Sequence, residues 1–263
     1  MPLSDVREIK APSALLTLTE LQRAGLELAT LPLAAPALAL APRGDGAPVL
    51  VMPGFITSDR STVLLRRYLS VIGYDARAWE LGRNLGPRSV GWRGERLLER
   101  LQTIHRDTGQ KVGLVGWSLG GILARDLARA APEMVSKVIT LGSPFTGNPL
   151  ATAPARLYER LSGETLSGAA IAQRLRESVE PLPVPAAAIF SRDDGVVPWR
   201  NCVEPPHPRA ENIEVRGSHC GLGVNAAVLY AVADRLAQAD GDWKPFAAPA
   251  LLAGFYPPPP ALN

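Results

Sequence analysis

The sequence predicts an α/β fold in which a mostly parallel sheet is covered by helices on both faces. Short apolar segments alternate with amphipathic segments along the 263 residues, which is the pattern of repeated strand–helix–strand units. Hydrophobic residues make up 46% of the chain, which is enough for a substantial core. One apolar segment also runs directly into the glycine-rich stretch 116–121 and then into a helical pattern, as a strand–turn–helix unit would.

The strands are expected at short apolar runs that end in turn-forming residues. A strand with helices on both sides is buried on both faces, so the continuous apolar run at 49–52 is typical of one. Pro-Gly at 53–54 ends this run, and Gly-Ser-Pro at 142–144 ends a later one. The predicted strands lie at 49–52, 74–80, 111–115, 135–141, 186–190 and 213–215.

The helices are expected where apolar residues recur three or four positions apart. Leu123 and Leu127 share one face of the helix that follows the glycine-rich stretch. Thr57 or Ser58 is the predicted N-cap of the helix after the first strand, and Gly109 is the predicted end of the next one. The predicted helices lie at 13–31, 57–72, 96–106, 122–129 and 225–238.

Residues 145–185 interrupt the alternation of strands and helices. This segment contains two helical patterns, at 155–161 and 168–179. Because so long a connection in a compact domain usually has a function or a structure of its own, we expect a small lid over the strand ends. The alternative is an ordinary helical excursion at the periphery. The predicted division of the chain is an N-terminal helical extension (1–46), a core (47–144 and 186–245), the lid (145–185) and a proline-rich C-terminal tail (246–263).

Charge and hydropathy indicate which classes of partner and which cellular location to expect. The formal net charge is only +3 and the arginines are scattered, so we expect no nucleic-acid-binding surface. The most hydrophobic stretch, 26–41, is too short for a bilayer span and is interrupted by Pro32 and Pro36. It is either a helix packed on the domain or a contact with lipid or another apolar surface. Residues 1–10 lack a secretory pattern, which favours a cytoplasmic location with peripheral membrane association left open.

The stretch 116–121, Gly-Trp-Ser-Leu-Gly-Gly, has the form of a nucleophile elbow, G-x-S-x-G. Such a turn presents Ser118 in strained backbone while the strand and the helix crowd together on either side. Gly116 and Gly120 remove the side chains that would collide there. A serine hydroxyl is a poor nucleophile near neutral pH, so it needs a base that takes its proton and a carboxylate that orients the base.

Three histidines are candidates for the base. His105 lies within a predicted helix and His207 in a proline-rich loop, whereas His219 follows the last predicted strand and is the preferred candidate. Two adjacent aspartates, Asp193 and Asp194, follow the strand at 186–190 and compete for the role of the acid. Either choice gives the chain order serine, aspartate, histidine.

Together these motifs resemble the α/β-hydrolase superfamily and its lipase/esterase-like branch. The resemblance spans about residues 47–236 and rests on Pro-Gly-Phe at 53–55, the elbow, Asp-Gly-Val-Val-Pro at 194–198 and Ser-His at 218–219. It implies a sheet of about six strands. Many relatives have histidine where this chain has Pro53, a difference that concerns the geometry of that loop.

The resemblance also implies a role for each site residue. Ser118 corresponds to the nucleophile and His219 to the general base and acid. Asp194 is the residue with the family's spacing to a following Val-Pro, and it is therefore preferred over Asp193. The backbone N–H groups of Phe55 and Leu119 correspond to the oxyanion hole.

The function that follows is hydrolysis of carboxylic esters with apolar or lipid-like acyl groups through an acyl-enzyme intermediate. Acyl transfer and thioester cleavage on the same residues are alternatives, and a non-catalytic binding protein is a further one. Neither a metal nor an organic cofactor is expected. Cys202 and Cys220 lie in loops that the resemblance brings together, so a disulfide between them is left open.

Overall fold

Six parallel strands form the central sheet in a computed structural model of the chain, which describes residues 9–239 and 241–257. Their order across the sheet is β2-β1-β3-β4-β5-β6, and every neighbouring pair is parallel. The predicted α/β class, with about six mostly parallel strands, is confirmed. The strands are β1 (Pro48–Met52), β2 (Asp75–Ala78), β3 (Val112–Trp117), β4 (Val135–Leu141), β5 (Ala186–Phe190) and β6 (Ala210–Glu214).

The inner strands are the apolar ones. Every residue of β1 and of β5 is buried, because helices cover both faces there. The edge strand β2 is only half-buried and shorter than predicted. It ends at Ala78 because the N–H groups of Trp79 and Glu80 donate to the carboxylate of Asp59, at 3.0 and 3.1 Å, rather than to a neighbouring strand.

Helices alternate with the strands as predicted. Ser13 begins the first helix, since its Oγ accepts a hydrogen bond from the N–H of Leu16 at 3.3 Å. Asn225 caps the last helix in the same way, through the N–H of Ala227 at 3.0 Å. The helices are α1 (Ala14–Thr30), α2 (Ala35–Leu38), α3 (Val63–Val71), α4 (Pro87–Val90), α5 (Glu95–Thr108), α6 (Leu119–Ala130), α7 (Ala155–Ser162), α8 (Ala169–Ser178) and α9 (Ala226–Ala237).

The predicted start of the helix at 57–72 is wrong. Helix α3 begins at Val63, and neither Thr57 nor Ser58 caps it. Residues 57–62 form turns instead, in which the N–H of Thr57 donates to Gly54 and that of Ser61 to Ser58. These turns hold the loop after β1, which lies beside the glycine-rich stretch 116–121.

The hydrophobic core lies in two layers, one on each face of the sheet. Helices α3 and α9 cover one face, with Leu65, Leu69 and Val228 buried against the sheet. Helices α5 and α6 cover the other face. All six strands point the same way, so their carboxyl ends meet along one edge, where parallel sheets carry their functional loops.

The N-terminal extension combines buried and exposed apolar residues. Leu38 packs into the core, whereas Leu26, Leu33 and Leu40 are exposed. No helix within residues 9–239 or 241–257 has both the length and the apolarity that a membrane crossing needs. Of the predicted segments at the two ends of the chain, residues 1–8 and prolines 258–260 lie outside the described residues.

Candidate active site

Ser118 lies between the end of β3 and the start of α6 with backbone angles of φ 53° and ψ −120°. A positive φ is strained for a residue other than glycine, so surrounding contacts must hold it. Two hydrogen bonds do this. The N–H of Ser118 donates to the carbonyl of Leu141 in β4 at 2.8 Å, and its own carbonyl accepts from Gly121 at 3.0 Å. The side chain is thereby presented at the carboxyl edge of the sheet.

Gly116 and Gly120 of the elbow are needed for close packing of the backbone. A Cβ at Gly116 would lie 2.4 Å from the carbonyl oxygen of Gly120. A Cβ at Gly120 would lie 2.5 Å from the carbonyl oxygen of Met52 and 2.7 Å from that of Pro53. Any side chain would therefore separate α6 from the end of β1.

Asp194 and His219 form a buried pair next to the elbow. The Oδ2 atom of Asp194 is 2.6 Å from Nδ1 of His219, and the two residues are 3% and 6% exposed. The other carboxylate oxygen, Oδ1, accepts hydrogen bonds from the N–H groups of Val196 at 2.8 Å and Val197 at 2.6 Å. Both oxygens are occupied, so the carboxylate is fixed and Nδ1 of the imidazole is held as a donor.

The surroundings of His219 act on its pKa in opposite directions. Burial is the largest influence and favours the neutral ring, which lowers the pKa. The charge and hydrogen bond of Asp194, together with the charge of Glu20, outweigh burial and raise the pKa above its ordinary value. The environment therefore stabilises the imidazolium form, which a general base must adopt after it accepts a proton.

A hydrogen bond links the elbow to this pair, and Gly142 lies close to both residues of the pair. The indole Nε1 of Trp117 donates to the carbonyl of His219 at 3.1 Å. A Cβ at Gly142, the residue after β4, would lie 3.1 Å from Nδ1 of His219 and 3.2 Å from Oδ2 of Asp194. Between the Ser118 hydroxyl and His219, both within the described residues, the structure forms no hydrogen bond. Catalytic hydrogen bonds of this kind often tighten only when substrate is bound.

The two predicted oxyanion-hole residues flank the serine. Phe55 belongs to the loop after β1, in which a Cβ at Gly54 would lie 3.4 Å from Cβ of Ser118. Leu119 is the first residue of α6, so its N–H has no partner within the helix. The N–H of Phe55 likewise donates no hydrogen bond within the part of the chain that is described.

Ser118 borders an apolar pocket under helices α7 and α8. Its walls are mostly aliphatic and aromatic, with contributions from Phe55 and Leu119 on the serine side. Phe145 and Tyr158 come from the segment after β4, and Ile171 from α8. The phenol ring of Tyr158 meets the ring of Phe55 edge-on, with 5.3 Å between centroids. The pocket therefore joins the predicted lid segment to the elbow.

Comparisons with known proteins bear on the fold of the chain. Residues 95–176, which run from α5 into α8, match the family model of the PGAP1-like alpha/beta domain. The solved structure of the Paleococcus ferrophilus monoacylglycerol lipase matches 72% of this chain and 96% of its own, with a TM-score of 0.51 and 17% sequence identity. The chain has the α/β-hydrolase fold.

Curated sequence relatives of this chain are named as lipases or, in one case, as an esterase. A triacylglycerol lipase of Pseudarthrobacter phenanthrenivorans is 42% identical over 60 residues, which are 22% of this chain and 19% of the relative. A triacylglycerol lipase of Pseudomonas fragi is 36% identical over 84 residues, 29% of this chain and 27% of the relative. The chain thus matches only about a fifth to a quarter of the length of these relatives.

The other two histidines and Asp193 do not take part in this buried pair. His105 Nδ1 is 2.7 Å from the carbonyl oxygen of Gln110, at the end of α5. His207 accepts a hydrogen bond from the N–H of Arg209 in an exposed loop. Asp193 is exposed, while its neighbour Asp194 is the residue that contacts His219.

The disulfide left open by the sequence is not formed, since Cys202 and Cys220 are both free. Cys202 is buried in the 3₁₀ helix Trp199–Cys202 and directs its Sγ to the carbonyl of Pro198. Cys220 faces Glu20 instead. Its burial, followed by the charge of Glu20, raises the pKa of its thiol to about 11, so the reactive thiolate is rare near neutral pH.

Sequence reasoning missed the contribution of helix α1 to the site. Glu20 and Glu27 accept hydrogen bonds from the loop that carries His219. Both lie in a segment whose apolar residues dominate its pattern. The available signal was their spacing of seven, which places two carboxylates on one face of a helix that is otherwise rich in leucine.

Proposed function

We propose that this protein is a serine hydrolase that cleaves carboxylic esters with apolar acyl groups through an acyl-enzyme intermediate. One observation carries the proposal. The strained serine of the elbow opens into an apolar pocket at the edge of the sheet where a buried aspartate–histidine pair lies. The lipase relatives support the same reaction class, although this chain matches only part of their length.

The reaction begins when Nε2 of His219 removes the proton of the Ser118 hydroxyl as its oxygen attacks the ester carbonyl. The N–H groups of Phe55 and Leu119 donate to the resulting oxyanion, each stabilising it by about 3 kcal/mol. Asp194 keeps Nδ1 protonated and stabilises the imidazolium. His219 then gives its proton to the leaving alkoxide, and water, activated by the same imidazole, releases the acyl group.

The acyl group occupies the pocket between the elbow and helices α7 and α8. Its aromatic and aliphatic walls favour a hydrocarbon chain over a polar one. Residues 145–185 form a lid over this pocket, because Phe145, Tyr158 and Ile171 of that segment line it.

A panel of p-nitrophenyl esters from acetyl to palmitoyl, with one acyl thioester, tests the proposal on wild type and Ser118→Ala. We expect wild-type hydrolysis that increases with chain length up to the capacity of the pocket, and loss of hydrolysis in Ser118→Ala. Preference for the thioester would favour a thioesterase. Product transfer to an added alcohol in place of water would favour an acyltransferase.

The non-catalytic alternative is tested by a fluorophosphonate probe, which reacts only with an activated serine. Labelling of wild type but not of Ser118→Ala supports the enzyme. An unlabelled wild type that hydrolyses none of the esters would contradict the proposal and favour a binding protein.

A further inference from the structure

Helix α1 directs its charged side chains inward, toward the loops that carry Asp194 and His219. Its charged residues are Glu20, Arg23 and Glu27, and with Thr17 they recur at intervals of three or four along one helical face. On the opposite side, Leu18 and Leu21 are exposed by 79% and 77%. An ordinary surface helix has the reverse arrangement, so this polar face is turned inward for contacts with these loops.

Glu20 joins the two loops through a single carboxylate. It is only 4% exposed. Its Oε1 accepts from the N–H of Gly195, which follows Asp194, at 2.7 Å and from the N–H of His219 at 3.2 Å. Its Oε2 accepts from the N–H of Cys220 at 3.0 Å. The loop that carries Asp194 and the loop that carries His219 are thus hydrogen-bonded to the same carboxylate.

Glu27 holds the other side of the histidine. Its Oε1 accepts from both the N–H and the hydroxyl of Ser218, each at 2.7 Å. Its Oε2 accepts from Nδ2 of Asn225 at 2.9 Å. Since Asn225 is the N-cap of α9, the loop that carries His219 is fixed between α1 and α9.

The remaining polar residues of this face bind the aspartate loop. The hydroxyl of Thr17 donates to the carbonyl of Gly195 at 2.6 Å, and the guanidinium of Arg23 donates to the carbonyl of Asp193 at 2.7 Å. Arg23 also lies 2.7 Å from Oε1 of Glu20 and balances its buried charge. Both backbone neighbours of Asp194 therefore contact α1.

We propose that Glu20 and Glu27 are positioning residues, an inference that rests on the proposed hydrolase mechanism. Glu20 holds the His219 loop against the Asp194 loop, and Glu27 fixes the His219 loop to α1. The 2.6 Å contact between Asp194 and His219 spans two loops that follow different strands. Removing either carboxylate leaves N–H groups of these loops without an acceptor, so the loops shift to find new partners. A displacement of about 1 Å at the base can lower the rate about 100-fold.

Glu20 also acts on His219 through its charge. The charged and titratable groups near the imidazole are Asp194 from the loop after β5, Glu20 from α1 with its ion-pair partner Arg23, and the adjacent Cys220. The negative charge of Glu20 is one of the influences that raise the pKa of His219. A neutral side chain of the same shape at position 20 therefore tests positioning and charge together.

The experiment compares Glu20→Gln and Glu27→Gln with Gln22→Ala, a matched control at an exposed position of the same helix. Glutamine keeps the shape of the side chain but replaces one acceptor oxygen with a donor. We expect kcat on a p-nitrophenyl ester to fall about 10- to 100-fold in both Gln variants, with KM nearly unchanged. Activity is expressed per fluorophosphonate-reactive site, which corrects for unfolded protein.

Proton NMR of the imidazole Cε1–H gives a second readout that does not depend on activity. His105 and His207 serve as internal references. We expect the titration midpoint of His219 to move to lower pH in Glu20→Gln and to stay in place in Gln22→Ala. A lowered melting temperature with wild-type kcat and an unmoved His219 midpoint would mean that the role is structural only, and would overturn the proposal.

Two further results separate this proposal from the proposed function. If Ser118→Ala remains fully active, the hydrolase mechanism fails, whatever Glu20 does. If Ser118→Ala is inactive while both Gln variants match wild type, only the positioning proposal fails. Should Glu20→Gln not fold, Glu27→Gln decides alone, since a reduced kcat in the folded variant supports the proposal and a wild-type kcat overturns it.

Discussion

Replacing Asp194 with asparagine perturbs the site with almost no change of shape. The carboxylate accepts three hydrogen bonds, two at Oδ1 from Val196 and Val197 and one at Oδ2 from His219. Asparagine has one acceptor oxygen and one NH₂ donor. The oxygen satisfies two donors when it faces Val196 and Val197, so the NH₂ group faces Nδ1 of His219.

This orientation forces the wrong tautomer on the base. Nδ1 must accept a hydrogen bond, so the proton of the neutral ring moves to Nε2, which then cannot take the proton of Ser118. The expected loss in kcat is about 10⁴-fold, equivalent to about 5.4 kcal/mol in the activation barrier. The fold should lose only about 1 to 2 kcal/mol, because two of the three hydrogen bonds persist.

The assay is steady-state hydrolysis of a p-nitrophenyl ester, with urea unfolding as the measure of stability. Asp193→Asn is the matched control, since Asp193 is adjacent and exposed. We expect it to retain wild-type kcat. An Asp194→Asn variant with wild-type kcat, or a greater loss in Asp193→Asn, would refute the assignment of the acid.

Three further predictions concern packing, pH and lipid. Gly120→Ala places a Cβ 2.5 Å from a backbone oxygen and should lower the free energy of unfolding by about 1 to 3 kcal/mol. The control Gly25→Ala, in open space on α1, should not lower it. Equal urea midpoints for the two variants would contradict this prediction. Because the pKa of His219 is raised and the base must be neutral, kcat/KM should fall as pH drops through a midpoint above 6.5, and a midpoint below 6.5 would oppose the account. The same raised pKa stabilises the fold at low pH, a contribution lost as pH rises through the folded-state pKa. Replacing the exposed Leu33 and Leu40 with serine should reduce cosedimentation with phosphatidylcholine vesicles, and a wild type that does not bind vesicles would end the lipid-contact prediction.

The sheet could be predicted because its strands are defined locally. The sequence predicts strands at 135–141 and 186–190 with the boundaries that β4 and β5 have, since both runs are mostly apolar and each is followed by a glycine or a serine. Strand β2 was predicted too long because the contact that ends it comes from Asp59 in a preceding turn. A residue 20 positions away in sequence leaves no local signal.

Part of the site could also be predicted from the sequence, because some of its residues belong to local patterns. The elbow and the spacing of Asp194 to a following Val-Pro are local patterns, and the structure joins Asp194 rather than Asp193 to His219. The free state of Cys202 and Cys220 depends on where each thiol points, which spacing does not encode. The contacts of Glu20 with residues 195 and 219 link the two ends of the chain, and such long-range pairings are visible only in the fold.

Trapping the acyl-enzyme intermediate tests most directly whether the elbow serine is the nucleophile. After a rapid quench with a slowly released p-nitrophenyl ester, intact-protein and peptide mass spectrometry would locate the added acyl group. The account predicts one acyl adduct on the peptide that contains Ser118, and none in Ser118→Ala. Turnover in Ser118→Ala at the wild-type rate, or an adduct on another residue, would contradict it.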